Sequence, residues 1–157
     1  KMRAVNASTD ALRPAGLLRR LAAMLYDALL LLALFMLAGG VALLATGGEA
    51  VPAGSVWYQA YLLLIAMLFL CGFWINGGQT LGLRSWRLRV ESADGGPLDA
   101  RMALLRFAAG FVALAPAGLG LFWLLFDPER RAWHDRLSGT RVVLLPKQPR
   151  DGVSAPE

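Results

Sequence analysis

The chain has 157 residues, of which 57% are hydrophobic and 17% charged, and its formal net charge is +5. Soluble domains average about 45–50% apolar and about 25% charged residues, so this composition excludes an ordinary soluble domain. A single cysteine, Cys71, and a single histidine exclude an intramolecular disulfide and a Cys/His metal cluster. The chain carries no phosphate-binding loop, dinucleotide-binding glycine pattern or nucleophile elbow. We therefore expect no enzymatic activity, no cofactor and no bound metal.

The apolar residues are concentrated in three blocks, residues 21–45, 56–75 and 102–126. A bilayer core about 30 Å thick requires roughly 20 apolar residues in a spanning helix, and the first two blocks meet this length. Arg106 and Pro116 interrupt the third block. These features predict an all-α membrane protein with two spanning helices, a broken or re-entrant third hydrophobic segment, and short interfacial basic motifs.

Polar segments border this hydrophobic region at both ends. We assign residues 1–14 to a polar N-terminal tail, residues 15–145 to one membrane domain, and residues 146–157 to a disordered C-terminal tail. Within the domain, the alternating apolar pattern of residues 87–91 and 140–145 predicts two short strands.

Basic residues are distributed unevenly around the blocks, and this distribution predicts the orientation of the chain. Five lie in the segment that ends at Arg20 and five between residues 76 and 106, whereas the connection 46–55 has none. By the positive-inside rule, the N-terminus and the second connection are cytoplasmic in a multi-pass protein of the bacterial inner (plasma) membrane. Because the arginines flank apolar blocks, we attribute the positive charge to this rule and not to binding of nucleic acid.

The C-terminal segment conflicts with a simple third crossing. Residues 127–157 contain six basic residues, yet a single crossing by residues 102–126 makes them external. A re-entrant hairpin, or a pair of short helices, keeps them cytoplasmic, because non-helical backbone is tolerated at depth where protein buries it. We favour this arrangement, and a single tilted crossing is the alternative.

Residues 81–89 alternate basic and apolar side chains, which predicts an amphipathic segment lying on the lipid head groups. We expect Trp86 to face inward, at the membrane interface. The residues expected to face outward are Arg84, Arg87 and Arg89. The polar residues just before this segment either line a polar vestibule or, as we favour, cap helices: Asn76, Gln79 and Thr80.

Asp27, inside the first apolar block, is the sharpest functional candidate. An ionisable residue in a lipid-embedded helix costs about 2.5–3.5 kcal/mol on insertion scales and usually faces a partner or a water-filled path. Arg20 lies seven positions earlier, hence on the same helix face and about 10.5 Å away along the axis. Asp27 is either a proton or cation relay near the cytoplasmic face or the buried partner of an arginine. Arg106 is the candidate partner, unless it snorkels to the cytoplasmic interface.

Three ordered stretches, RRLAAMLYD, GGQTLGLRSWRLRV and AWHDRLSGTRVV, resemble the signatures of the RDD family of bacterial membrane proteins. The resemblance extends from about Pro14 to Val143. The family is named for one arginine and two aspartates, which the resemblance assigns to Arg20, Asp27 and Asp135. It implies transport of an undefined ligand, with sodium–proton exchange in some members. It also implies that Asp135, which local sequence alone indicates as a solvated or helix-capping residue, approaches Arg20.

Two functional hypotheses follow. In the first, a small transporter or ion-coupled exchanger uses an intramembrane constellation of four residues: Arg20, Asp27, Arg106 and Asp135. In the second, the protein is a non-transporting membrane scaffold or assembly partner, and the same residues fix its packing. We expect the lipid bilayer as a partner, together with further copies of the chain or other membrane proteins, because two or three helices rarely enclose a path alone. The sequence indicates neither a ligand nor a coupling ion.

Overall fold

The structure, a computed structural model, describes residues 13–146 apart from residues 53 and 117. The predicted tails, residues 1–14 and 146–157, lie outside the described residues except for positions 13, 14 and 146. The elements in chain order are α1 (Leu17–Ala45), α2 (Val56–Ile75), α3 (Leu81–Ser85), β1 (Leu88–Ser92), α4 (Ala100–Leu114), α5 (Leu119–Phe122), a 3-10 turn (Trp123–Leu125), α6 (Trp133–Leu137) and β2 (Thr140–Leu144).

Helices α1 and α2 are the two long apolar elements, with 29 and 20 residues. At 1.5 Å per residue they measure about 43 and 30 Å, so each is long enough to cross the hydrocarbon core. By length and composition, both are candidate membrane spans, as the two apolar blocks predicted. Helix α1 begins four residues before the first block and therefore includes Arg20.

The third hydrophobic segment is divided between two helical stretches, Ala100–Leu114 and Leu119–Leu125, whose axes meet at 107°. The break contains Pro116, which cannot donate a backbone hydrogen bond, and Gly118, whose φ of 79° favours glycine. Close packing continues past the break, because a Cβ on Gly120 would lie 2.6 Å from the Cα of Ala113. By length and composition, the pair fits either a broken span or a re-entrant loop.

A small antiparallel sheet pairs β1 with β2, with Val90 opposite Val142. The chain just before α1 joins its edge, since Leu144 N–H donates to the Arg13 carbonyl at 2.8 Å and Ala15 N–H donates to the Val142 carbonyl at 3.0 Å. Both strands occur where the alternation predicted them. The fold is mostly helical, but the predicted all-α class is incomplete because the protein also contains this sheet. The pairing of its strands joins segments that are distant in sequence.

Residues 81–89 do not form one amphipathic surface segment. They comprise α3, a turn in which Arg87 has a φ of 55°, and the start of β1. Leu83 and Leu88 are buried in the core beside the sheet, whereas Trp86 is 43% exposed. Trp86 therefore does not share the buried location of the two leucines. Its inward orientation toward a membrane interface stays a prediction.

Candidate functional site

Asp27 joins the first helix to the short helix α3. Its Oδ2 accepts a hydrogen bond from the Thr80 hydroxyl at 2.5 Å, and its Oδ1 accepts one from the Gly82 N–H at 2.9 Å. Thr80 is also the N-cap of α3, because its hydroxyl oxygen accepts from the Leu83 N–H. The Asp27 carboxylate is thus buried against neutral donors and completes the cap of a neighbouring helix.

This contact depends on a close approach of two backbones. A Cβ added to Gly82 would lie 2.2 Å from the Ala23 carbonyl oxygen and 2.8 Å from the Asp27 carboxylate. Ala23, one turn before Asp27, is itself fully buried. Only glycine at position 82 allows the amide of α3 to reach the carboxylate on α1.

The predicted pairing of Asp27 with Arg106 is wrong. Both oxygens of Asp27 accept from α3 and its cap, and neither lies in a salt bridge with a described residue. Arg106 does not snorkel either, because it is only 5% exposed and contacts a different carboxylate.

That carboxylate is Asp135, which joins two arginines from different helices. Its two oxygens lie 2.5 Å from nitrogens of Arg20 and Arg106, and the side chain is completely buried. Asp135 also accepts from the Ala132 N–H at 3.0 Å and so caps the start of α6. The solvated location is therefore excluded, whereas the capping role and the approach to Arg20 are both observed.

Each arginine of this cluster uses further donors to bind the surrounding backbone and side chains. Arg20 donates to the carbonyls of Ala15 at 3.2 Å and Arg130 at 2.9 Å. Arg130 has a φ of 50°, an uncommon conformation for a non-glycine residue. Arg106 donates to the Thr140 hydroxyl at 2.7 Å. The cluster therefore connects α1, α4, α6 and β2.

The electrostatics of the cluster favour an ionised Asp135 and a neutral His134. Burial raises the pKa of Asp135, but the guanidinium groups of Arg106 and Arg20 outweigh burial and hold it below its usual range. Burial, reinforced by Arg106, lowers the pKa of His134 to about 4, although its Nε2 lies 3.4 Å from Asp135. Two guanidinium groups and one carboxylate leave the cluster a net charge of +1.

A cavity of about 600 Å³ lies beside both carboxylate sites, between α1, α2 and α4. Most of its wall is apolar. The ionisable residues in the wall are Asp27, Arg106 and His134, and the polar uncharged one is Gln59. Arg106 also lies over the ring of Trp74, 5.1 Å from its centre, and Trp74 is part of the wall as well. Of the four predicted site residues, the cavity exposes Asp27 and Arg106, whereas Arg20 and Asp135 lie behind its wall.

Two atoms in this region have no hydrogen-bond partner among the described residues: Arg106 Nε and His134 Nδ1. A buried polar atom without a hydrogen-bond partner is uncommon in a folded protein. Among the same residues, no group of three or more His, Cys, Asp or Glu side chains is arranged to hold a metal ion.

Sequence reasoning missed several members of the site. Thr80 was expected to cap a helix, which it does, but its contact with Asp27 depends on a fold that juxtaposes residues 53 apart. His134 gave no signal beyond its neighbours in the stretch AWHDRLSGTRVV, and Trp74, near the end of the second apolar block, gave none for this site. Asp127 is also buried and binds the Arg131 amide at 2.8 Å and the Arg136 guanidinium. Only the spacing of an acid before basic residues hinted at this contact.

Helices of spanning length, a buried Arg/Asp cluster and an adjoining apolar cavity define a small helical membrane protein with an ionic core. The chain belongs to the RDD family, whose sequence profile matches residues 14–139. The uncharacterized protein RP437 of Rickettsia prowazekii (strain Madrid E) is 31% identical over 86 residues, which are 55% of this chain and 47% of that protein. The matched region thus spans about half of that relative. No solved structure matches the chain significantly.

Proposed function

We propose that this RDD family member is a multi-pass protein of the bacterial inner membrane that transports a ligand, with Asp27 as an ion-coupling group. The supporting observation is that Asp27 and Arg106, from two different helices, line one cavity. Ionisable residues at membrane depth are costly, and they usually mark a pathway or a partner. Asp27 has no ionic partner among the described residues, which favours the pathway.

The sheet supports a topology for this transporter. Residues 13–15 precede α1, β1 lies between α2 and α4, and β2 follows the third hydrophobic segment, yet all three hydrogen-bond together. Segments that pair directly lie on the same side of a membrane. The third hydrophobic segment would then start and end on that side, as a re-entrant pair with the observed 107° bend. The arginine distribution assigns that side to the cytoplasm.

The same topology favours an oligomer. Two spanning helices and a re-entrant pair enclose the cavity only in part, and many large apolar side chains of α1 and α2 remain exposed. In a bilayer these faces contact lipid or another helix. We propose that a second copy of the chain completes the path.

The scaffold hypothesis is the second candidate, and one observation favours it. Every carboxylate oxygen of Asp27 and Asp135 accepts a hydrogen bond from the protein. Fully engaged carboxylates of this kind fix the packing of helices without moving an ion.

Ion flux in proteoliposomes distinguishes these functions. A pH-sensitive dye inside the vesicles reports proton movement driven by gradients of sodium, potassium, lithium or ammonium. The decisive variant is Asp27→Asn, because an amide can still accept from the Gly82 N–H and donate to the Thr80 oxygen. It removes the charge without stranding a buried arginine, since Asp27 has no arginine partner.

We expect cation-dependent flux in the wild type and its loss in Asp27→Asn at an unchanged melting temperature in detergent. The control is Asp94→Asn, which removes an exposed carboxylate outside the cavity and should retain flux. Absence of flux with every cation, or flux that survives Asp27→Asn, would contradict ion-coupled transport and favour the scaffold.

A further inference from the structure

The cavity is elongated and is open on one side. Its wall on α2 runs from Gln59 to Trp74, about 22 Å along the helix, and its wall on α1 runs from Met24 to Phe35, about 16 Å. An extended chain that lies parallel to these two helices contacts the full length of both walls. The shape of the cavity therefore favours an elongated occupant.

The apolar and the ionisable residues of the wall lie in different sections of this length. The long section is built from aliphatic and aromatic side chains, which include Leu31, Phe35, Leu62, Ala66, Phe107 and Phe111. The ionisable residues lie together at one end, where Trp74 and Arg106 are in contact. Such a wall suits a molecule with a long apolar body and one polar head.

The charged residues at the polar end of the cavity determine which charge the polar head of a bound molecule can carry. Asp27 is one negative group, and the cluster of Arg20, Arg106 and Asp135 carries +1, so the four groups sum to zero. A charged head would enter this buried region without a surplus counter-charge and would lose its hydration. An uncharged head that donates and accepts hydrogen bonds meets no such penalty.

We propose that this cavity binds a long-chain amphiphile with an uncharged polar head, such as an alcohol or an ester. The head lies beside Asp27 and Arg106, and the chain extends between α1, α2 and α4 toward Gln59. This inference rests on the proposed transport function, since it names the class of ligand carried. It also accounts for the position of the ionisable side chains, which lie at only one end of a mostly apolar cavity.

Fluorescence quenching of Trp74 tests this assignment without measuring transport. In detergent, a variant that retains only this tryptophan is titrated with three amphiphiles of equal chain length, brominated near the head. The heads are an alcohol, a carboxylate and an ammonium. The tryptophans replaced by phenylalanine are Trp57, Trp86, Trp123 and Trp133.

A pair of glycine substitutions separates the cavity from the detergent micelle. Gly110 lines the cavity, and a Cβ added there would meet no atom within 4 Å, so Gly110→Leu directs a side chain into this space. Gly40→Leu adds the same side chain on an exposed face outside the cavity and is the matched control. Equal melting temperatures of the two variants would show that both are folded.

We expect saturable quenching by the brominated alcohol, weakened about tenfold or more in Gly110→Leu and unchanged in Gly40→Leu. The carboxylate and ammonium probes should bind about tenfold more weakly than the alcohol. Equal quenching in the two glycine variants would overturn the site, and tighter binding of a charged probe would overturn the uncharged head. Saturable alcohol binding in a protein without ion flux would retain this site and remove the transport function.

Discussion

The two aspartates at the centre of this protein have different electrostatic environments. Asp27 accepts hydrogen bonds from a hydroxyl and an amide, and it forms no salt bridge with a described residue. Asp135 lies between the guanidinium groups of Arg20 and Arg106. Removal of the two carboxylate charges should therefore have different consequences, although both residues are buried in helices.

Asp135→Asn should destabilise the protein strongly. It leaves Arg20 and Arg106 buried without their carboxylate, and breaking a buried ion pair typically costs about 3–5 kcal/mol. We expect a large drop in yield and in melting temperature in detergent. Asp94→Asn removes an exposed carboxylate and should melt like the wild type. If the two variants melt at the same temperature, the cluster does not support the fold.

His134 predicts a dependence of stability on acid pH. Its pKa is about 4 in the folded protein, against 6.5 ordinarily. Between these values the unfolded state binds more protons, so stability is lost as the pH falls from about 6.5 to about 4. We expect a loss of about 1 kcal/mol between about pH 6.5 and 5.5. The melting temperature should fall less steeply with decreasing pH in His134→Gln than in the wild type. An identical dependence on pH in the two proteins would refute this prediction.

At the scale of elements, the contact between α1 and α3 leaves no space for a side chain at Gly82. Gly82→Ala would place a Cβ 2.2 Å from the Ala23 carbonyl, so α3 must shift and its amide would leave Asp27. Overpacking of this kind typically costs about 1–3 kcal/mol. Gly72→Ala, at an open position of α2, should instead gain about 0.5–1 kcal/mol from helix propensity. Thermal melting of the two variants should separate them in opposite directions, and equal stability would contradict the tight contact.

The elements themselves could be predicted because their signals are local. Two apolar blocks gave α1 and α2, and alternation around Val90 and Val142 gave both strands. The pairing of those strands, and the burial of Asp135 within the polar stretch WHDR, could not be predicted in the same way. Both arise from contacts between residues distant in sequence, and the wrong Asp27–Arg106 pair has the same origin. The burial of Asp27 was correctly expected from its apolar block, but its partners depended on the tertiary fold.

At the scale of the whole molecule, the sheet predicts which side of the membrane each segment occupies. A reporter enzyme active only in the periplasm, fused after residue 146, should be silent, because β2 pairs with β1 and with residues 13–15. The same reporter inserted in the connection 46–55 should be active. Activity at both positions would mean that the third hydrophobic segment crosses the membrane once, which is incompatible with the sheet in a bilayer.

The chain order of the ionic cluster has a consequence for biosynthesis. Arg20 and Arg106 precede Asp135 by 115 and 29 residues. During synthesis on a ribosome, both arginines are therefore added to the chain before the carboxylate that pairs with them. A nascent chain that stops short of Asp135 carries two uncompensated guanidinium groups and lacks β2. We expect such a fragment to be degraded rapidly, so that the last part of the chain to be translated decides whether the whole product persists.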